Sequence, residues 1–351
     1  MIDPFVLLTP VLVLAVMALA RFIGCDVTIG RDTGYVIFNP PGGGYFSQQT
    51  VTLTSSLAGG GAQYTTDGSD PTSSSTAQVY TGPIPVSATT TIKAVDLPPR
   101  ETYYALPEGW GPIGSQTYII GPITFQQFAE LDDQTNMSPD PTAVTTPTTG
   151  PGSFAGSIAQ DTLMVVWIYY RGPDDGSITV SSVTDPAGNS YFPAVGPTPQ
   201  GTEPPALLGH RQEIWYAVIT HTDTGGMPFT VTAHFTAPVT VDKAISAHAY
   251  IGANPSDPLD KTPDMTPIVA SASGLSGAVS AGPVTTNFAR LVFAAAVYVN
   301  AAGGPGPGFR QRSVLSGNVS EDADVPNLGQ VVQATFTPAT NPWIAQMCAF
   351  K

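Results

Sequence analysis

Charge of either sign is scarce in this sequence of 351 residues, and positive charge is the scarcer. Charged residues make up 11% of the chain, and 12 Lys and Arg stand against 26 Asp and Glu, for a net charge of −14. Nucleic-acid binding needs a concentrated basic surface, so the composition argues against nucleic acid as a partner.

Cysteine is almost absent as well. The two cysteines, Cys25 and Cys348, form no CxxC pair, no haem attachment motif and no disulfide framework. We expect Cys348 to be buried in the last strand of the chain.

Motifs of catalysis are also missing. The sequence contains no GxSxG nucleophile elbow, no phosphate-binding glycine loop and no zinc-binding helix, and it marks out no pair of carboxylates across a cleft. The glycine-rich segment GGPGPG, residues 303–308, is broken by proline. We therefore predict that the protein is not an enzyme and that it carries no cofactor or metal.

Histidines and acidic residues occur without a ligand pattern. His234 and His248 lie on neighbouring predicted strands and could face each other, but no carboxylate follows at ligand spacing, so we interpret both as structural or surface residues. Four acidic groups are predicted to lie in turns, where bound calcium is the alternative to plain solvation: Asp67 with Asp70, Asp174 with Asp175, Asp257 with Asp260 and Asp264, and Glu321, Asp322 and Asp324.

Glycine and proline, by contrast, are abundant. The chain has 36 glycines and 35 prolines, and hydroxyl residues are frequent around them. This mixture predicts an all-β protein with many turns, and it is typical of secreted or surface-exposed bacterial modules.

One long apolar run stands at the N-terminus. Residues 5–20 carry no charge, and a helix over residues 2–23 would be about 33 Å long, enough for a hydrocarbon core of about 30 Å. We predict a transmembrane anchor over residues 1–25 and a polar exit linker over residues 26–33. A lipoprotein signal ending at Cys25 and a cleaved signal peptide are the alternatives.

The predicted helix has a side suited to other helices. Close packing drives helix association in lipid, so we expect contact with partner helices at Leu8, Ala15, Ala18 and Leu19. Arg21 and Cys25 should lie at the membrane interface. The predicted partners are integral membrane protein subunits and membrane lipid, and we place the rest of the chain on the periplasmic or extracellular side of the cell membrane.

Residues 34–120 alternate as half-buried strands do, in TVTLTSS, AQYTTDG and TTTIKAVDL. The order FNPPGGGYFSQQTVTLTSS, YTTDGSDPT, YTGPIPVSATTTIKAVD and SQTYII resembles the chitobiase/β-hexosaminidase C-terminal type of module. That resemblance implies a small immunoglobulin-like β-sandwich, which is not the catalytic part of the enzymes it is named after. Residues 98–114 depart from the pattern with an inserted loop that carries Tyr103, Tyr104 and Trp110. These rings cap the sandwich or contact a protein partner or a glycan.

The rest of the chain is divided into a connector and a second β-domain. In the connector, residues 121–152, ITFQQFAELDDQ predicts a short helical turn, and the Pro/Thr-rich stretch after it predicts a linker. Residues 153–351 contain eight strand-like runs, whose spacing predicts a jelly-roll-like antiparallel sandwich. The segments VTDPAGNSY, AYIGANPSDPLD and AQMCAFK are similar to a recurrent bacterial β-sandwich, a resemblance that implies no activity.

The predicted architecture is therefore all-β, with two antiparallel β-sandwich domains, immunoglobulin-like and then jelly-roll-like, behind one N-terminal transmembrane helix. The function we predict is that of a non-catalytic, single-pass accessory subunit of a larger bacterial membrane complex, for which photosynthetic and respiratory assemblies are candidate settings. The alternative is a surface adhesion or carbohydrate-binding protein, with carbohydrate as its ligand.

Overall fold

The computed structural model describes residues 34–97, 111–134, 140–173, 176–199, 209–299 and 302–351. Strands, turns and loops make up these ranges, and within them no helix is long and apolar enough to cross a bilayer. The predicted anchor, residues 1–25, and the exit linker, residues 26–33, lie outside the described residues and stay predictions.

The first part of the described chain is a module of two facing sheets. Its strands are β1 (Val36–Asn39), β2 (Gly43–Tyr45), β3 (Gln49–Ser55), β4 (Gly61–Thr65), β5 (Gln78–Val79), β6 (Ile84–Val86), β7 (Thr90–Leu97) and β8 (Gly114–Ile120). One sheet has the order β1-β3-β6 and the other the order β2-β8-β7-β4-β5. Alternate residues point inward, so that Val51 and Leu53 of β3 pack with Ile92 and Ala94 of β7. The β-sandwich predicted for this part is confirmed.

The remaining described residues continue as strands to the end of the chain. They form β9 (Thr124–Asp133), β10 (Ala143–Thr145), β11 (Leu163–Arg171), β12 (Val180–Thr184), β13 (Phe192–Pro199), β14 (His210–Val218), β15 (Thr232–Phe235), β16 (Lys243–Ile251), β17 (Val269–Gly274), β18 (Gly277–Thr285), β19 (Leu291–Tyr298), β20 (Arg310–Leu315), β21 (Asn318–Asp324), β22 (Val331–Ala339) and β23 (Trp343–Phe350). All eight predicted runs are strands, and the buried Cys348 lies in β23 as predicted.

These strands form four sheets in a stack rather than the two layers of one jelly-roll-like sandwich. Two five-stranded inner sheets, β13-β14-β11-β16-β9 and β17-β23-β19-β21-β20, face each other. An outer sheet covers the far side of each, β10-β15-β12 on the first and β18-β22 on the second. The expected single sandwich over residues 153–351 is therefore replaced by a four-layer body with three cores.

The inner strands read as unbroken apolar runs because both of their faces are covered. In β11, Met164 and Val166 pack toward the outer sheet, whereas Val165 and Trp167 pack toward the other inner sheet. Strands buried on both faces have near-continuous hydrophobic sequences rather than alternating ones. The runs in β11, β16, β19 and β23 thus place these strands at the centre of the stack.

The connector predicted over residues 121–152 belongs largely to this body. Its expected helical turn is wrong, because residues 124–133 form β9, which pairs antiparallel with β16 along its length. Ala129 of β9 is fully buried, and Val144 of β10 is buried in an outer core. Pairing at a sheet edge satisfies the backbone of this polar stretch, which has little apolar periodicity of its own.

The body consists of two halves with the same strand order. The inner sheets correspond as β13-β14-β11-β16-β9 to β20-β21-β19-β23-β17, and the outer strands β10 and β15 correspond to β18 and β22. The third outer strand, β12, has no counterpart in the ranges that the structure describes. A short match supports this correspondence: AHFT, residues 233–236, begins in β15, and ATFT, residues 334–337, lies in β22. The Ala and Phe of each are buried in the outer cores.

The halves pack about an approximate two-fold axis, so their interface has two equivalent ends. The strand register shows which residues of the two halves are equivalent. Phe192, Tyr216 and Tyr250 of the first half correspond to Arg310, Asp322 and Phe350 of the second. Tyr216 meets Phe350 across the interface, and Asp322 meets Tyr250 in the same way. We call these the aromatic end and the ionic end.

Candidate functional site

The ionic end is closed by a buried carboxylate. Asp322 lies in β21, not in the predicted turn, and its side chain is fully buried. Its oxygens accept hydrogen bonds from Arg310 Nε at 2.8 Å, Arg312 Nε at 2.5 Å and the Tyr250 hydroxyl at 3.0 Å. The Arg312 guanidinium also lies 4.3 Å from the ring centroid of Phe125. Two cations compensate the buried charge, so this cluster holds the halves together.

The carboxyl group next in the chain is buried in a different environment. Glu321 points toward the outer core, where its Oε2 accepts a hydrogen bond from the Gly306 N–H at 2.9 Å. Burial raises the pKa of Glu321 to about 8 against the effect of that hydrogen bond, and neighbouring Asp322 raises it further. Glu321 therefore keeps its proton at neutral pH.

The two histidines on neighbouring predicted strands, which we interpret as structural or surface residues, lie in different sheets. His234, in the outer sheet, is 2.9 Å through Nε2 from the Thr184 hydroxyl. His248 is buried at the interface of the halves, where it stacks on Phe128 and lies 3.0 Å from the Ser320 hydroxyl. Burial lowers the pKa of His248 to about 4, so the ring is neutral. No cluster of three metal-ligating side chains occurs among the residues that the structure describes.

Two of the acidic turns are occupied by donors from the protein. Asp67 accepts hydrogen bonds from Ser69 and Thr76, and these bonds, that of the Ser69 side chain first, lower its pKa to about 2. The buried Asp260 carboxylate accepts three backbone N–H groups, from residues 287–289, at 2.8 to 3.1 Å. Both carboxylates thus stabilise local loop conformations.

The Asp260 loop also joins the module to the four-layer body. Its carboxylate holds the segment 287–289, and the ring of Phe288 in that segment makes an edge contact with Tyr45 of the module at 6.1 Å between centroids. Next to it the buried Arg290 donates to the carbonyl oxygens of Gly121, at 2.7 Å, and Gly252, at 2.5 Å. Burial lowers the pKa of Arg290 to about 10. This joint fixes the module on the body through directional hydrogen bonds.

The aromatic end borders a groove. Phe192 and Tyr216 pair across β13 and β14 with ring centroids 6.0 Å apart, and Phe350 contacts Tyr216 from the other half at 5.9 Å. The Phe192 side chain is 53% exposed. These rings lie beside a groove of about 280 Å³, whose lining includes Phe192, Tyr216 and the polar residues Ser190, Thr220, His221, Ser256 and Asp257. We call it the aromatic groove.

The carboxylate in the aromatic groove is held ionised. Burial opposes the charge of Asp257, but hydrogen bonds from Lys261 Nζ at 2.5 Å and Lys351 Nζ at 2.9 Å outweigh it and lower the pKa of the carboxyl group. The groove thus offers an acceptor with nearby donors, next to exposed aromatic faces.

A second depression, of about 550 Å³, lies at the end of the first half. Its lining contains Thr148, Gln160 and Thr222 but no charged side chain, and its rings, Phe154 and Phe229, pack against the outer core. Because these rings complete the hydrophobic core, we regard this depression as a weaker candidate for a binding site than the aromatic groove.

The residues that the sequence singled out for contacts lie outside the described residues. They are Leu8, Ala15, Ala18, Leu19, Arg21 and Cys25 of the predicted anchor, and Tyr103, Tyr104 and Trp110 of the inserted loop. Sequence reasoning missed Phe192 and Tyr216. The signal was weak, because Phe192 begins a strand with three prolines and Tyr216 lies in an otherwise buried run.

Comparison with known proteins bears on the module. No match to this chain was found among curated proteins. The model of the family described as chitobiase/beta-hexosaminidase C-terminal domain matches residues 40–100. That range covers most of the two-sheet module and includes the YTTDGSDPT turn at Asp67. The first part of this chain is therefore a module of the chitobiase/β-hexosaminidase C-terminal type, with an immunoglobulin-like β-sandwich fold.

Proposed function

We propose that this protein is a non-catalytic accessory subunit of a larger bacterial membrane complex. The apolar run over residues 5–20 would anchor it beside integral membrane subunits and lipid, with the β-domains on the periplasmic or extracellular side. Photosynthetic and respiratory assemblies are the settings we favour.

The proposal that the protein is non-catalytic is supported by the partners of its buried ionisable groups. Asp322, Asp260 and Arg290 are each bound by two or more protein groups, and Glu213 accepts hydrogen bonds from the Val180 N–H, the Tyr170 hydroxyl and the Trp215 indole N–H. A catalytic acid or base needs access to a substrate at a cleft. These groups instead hold sheets, halves and module together, as a rigid scaffold requires.

The anchor is tested by substitution on two sides of the predicted helix. Replacing Ala15 and Ala18 together with Phe should release the protein from its complex but leave it in the membrane, because bulky rings prevent close helix packing. Co-purification from detergent extracts, followed by mass spectrometry, measures the release.

The matched control replaces Val13 and Met17 with Phe on the opposite side of the same helix. This control should co-purify at the wild-type yield. If the Ala15 and Ala18 variant also co-purifies at full yield, the helix is only a tether. If the wild-type protein migrates alone, the accessory-subunit proposal fails.

A surface adhesion or carbohydrate-binding role is the second candidate. The open aromatic groove of the body favours it, because exposed rings bordered by polar groups are typical of binding sites.

A further inference from the structure

We propose that the aromatic groove is a binding site for neutral carbohydrate and takes one terminal pyranose ring. The groove lies in the four-layer body, outside the module that matches a known family. The inference rests on the carbohydrate-binding candidate above and does not depend on the membrane complex.

The exposed ring of Phe192 is the first argument. An isolated exposed apolar side chain needs no explanation, but Phe192 is backed by Tyr216 and, through it, by Phe350. The half-exposed Phe192 ring is thus a supported apolar surface that a flat ligand can cover, while Phe350 itself is fully buried. The faces of aromatic rings carry partial negative charge, which attracts the weakly positive C–H groups on one face of a pyranose.

The ionic end has different residues at the positions equivalent to the three rings. There Arg310, Asp322 and Tyr250 fill the equivalent space with charge-assisted hydrogen bonds. At the aromatic end no such pairing closes the surface, and a groove remains. The ring-bearing positions of the aromatic end thus border a ligand-sized groove, whereas the equivalent positions of the ionic end form ion pairs.

The polar groups around the rings select the ligand class. Ser190 and Ser256 supply hydroxyl groups, and His221 and Asp257 add an imidazole and an ionised carboxylate, whereas the Thr220 hydroxyl already bonds to Asn189 and His221. An aliphatic or aromatic side chain of a partner protein would leave most of these groups without a use. A ring with several hydroxyl groups can donate to the carboxylate and accept from the others.

The charge around the groove and the volume of the groove restrict the class of ligand further. Asp257 is already paired with Lys261 and Lys351, so its charge is compensated and a cationic ligand gains little. The protein as a whole carries a net charge of −14, which disfavours a polyanion. A groove of about 280 Å³ is at the small end for ligand sites, which suits one sugar ring at the end of a neutral glycan.

The test is binding of the full-length protein in detergent to an array of neutral and acidic glycans, followed by calorimetry with the glycan retained. Phe192→Ala should weaken binding by about tenfold or more, since stacking on an aromatic ring contributes that much for other flat ligands. Asp257→Asn should weaken it as well, and Phe192→Trp should preserve it. The control is Leu328→Ala, because Leu328 is 54% exposed but lies outside the groove.

The outcomes separate the alternatives. Retention of neutral glycans that depends on Phe192 and Asp257 and not on Leu328 supports the site. An array on which the wild-type protein retains no neutral glycan overturns it, as does retention that Phe192→Ala leaves unchanged. Phe192-dependent binding of a peptide with no glycan bound would assign the groove to a protein contact and also overturn the proposal.

Discussion

The two ends of the interface between the inner sheets use the same backbone positions for opposite chemistry. One end buries Asp322 beneath ion pairs with Arg310 and Arg312, whereas the other leaves Phe192 half exposed above Tyr216. A buried carboxylate needs partners on every side, because an uncompensated charge is costly in a protein interior. Aromatic rings carry no such requirement. The duplicated fold therefore gives equivalent places, and the side chains decide which is structural and which can bind.

The residues that precede Tyr216 and Asp322 in their strands also occupy equivalent positions and also differ in chemistry. Trp215 of β14 and Glu321 of β21 both point toward an outer core, and both are buried. The tryptophan fills its position with apolar surface and donates its N–H to Glu213 at 3.0 Å. The glutamic acid is accommodated instead by retaining its proton, which makes the second half sensitive to pH at a position where the first is not.

Removing Asp322 should have the largest effect on this comparison. In Asp322→Ala two arginines and a tyrosine hydroxyl lose their buried partner, and we expect a loss of about 3–5 kcal/mol in the free energy of unfolding. Urea denaturation of the full-length protein measures it. Asp324→Ala is the control, since Asp324 pairs with Arg310 near the surface and should contribute less than about 1 kcal/mol. Equal losses in the two variants would contradict a special role for the buried carboxylate.

Glu321→Gln should change how stability depends on pH. The folded protein keeps the Glu321 proton up to a pKa of about 8, whereas the unfolded chain releases it near 4.5. Between these values the folded state binds one more proton, so this group lowers the free energy of unfolding as pH rises, by up to about 1.4 kcal/mol per pH unit.

The Gln variant should lack this contribution. Its free energy of unfolding, measured in urea at several pH values, should fall less steeply between pH 5 and about 8 than that of the wild type. Substitution of the exposed Asp223 with Asn is the control. Identical slopes for the wild type and Glu321→Gln would show that Glu321 is ionised in the fold.

The smallest effect should come from Phe192→Ala, compared with Arg310→Ala at the equivalent position. Arg310→Ala removes one of the two cations on Asp322 and should cost about 1–3 kcal/mol. Phe192→Ala removes an exposed ring and should change stability by no more than about 0.5 kcal/mol. Thermal and urea unfolding compare the pair. A large loss in Phe192→Ala would assign the ring to the core rather than to a binding surface.

Several elements could be read from the sequence because their patterns are local. The module was identified by TVTLTSS and YTTDGSDPT, where alternation and an Asp-Gly turn act over a few residues. The apolar runs of β11, β16, β19 and β23 identified four strands of the inner sheets. They also carried a signal that went unused, since apolar runs of this length predict strands covered on both faces.

Other elements gave no local signal of strand. Residues 321–324 were interpreted as an acidic turn, yet they belong to β21, because Asp322 and Glu321 are stabilised by Arg310 and Gly306 from elsewhere in the chain. Residues 124–133 were read as a connector because their pairing with β16 is not visible in their own composition. Charge and polarity argue against a buried strand until the partner that compensates them is known.

The sequence by itself determined the all-β class, the family of the first module and most of the central strands, because period-2 alternation, turn residues and apolar runs act over short distances. The stacking of four sheets, the two matching halves, the Arg290 joint and the aromatic groove were decided by the tertiary structure alone. Each depends on groups far apart in the chain, such as Tyr216 with Phe350 or Arg290 with the Gly121 carbonyl. Burial, hydrogen bonding and ring contact act through space, and a linear pattern does not carry them.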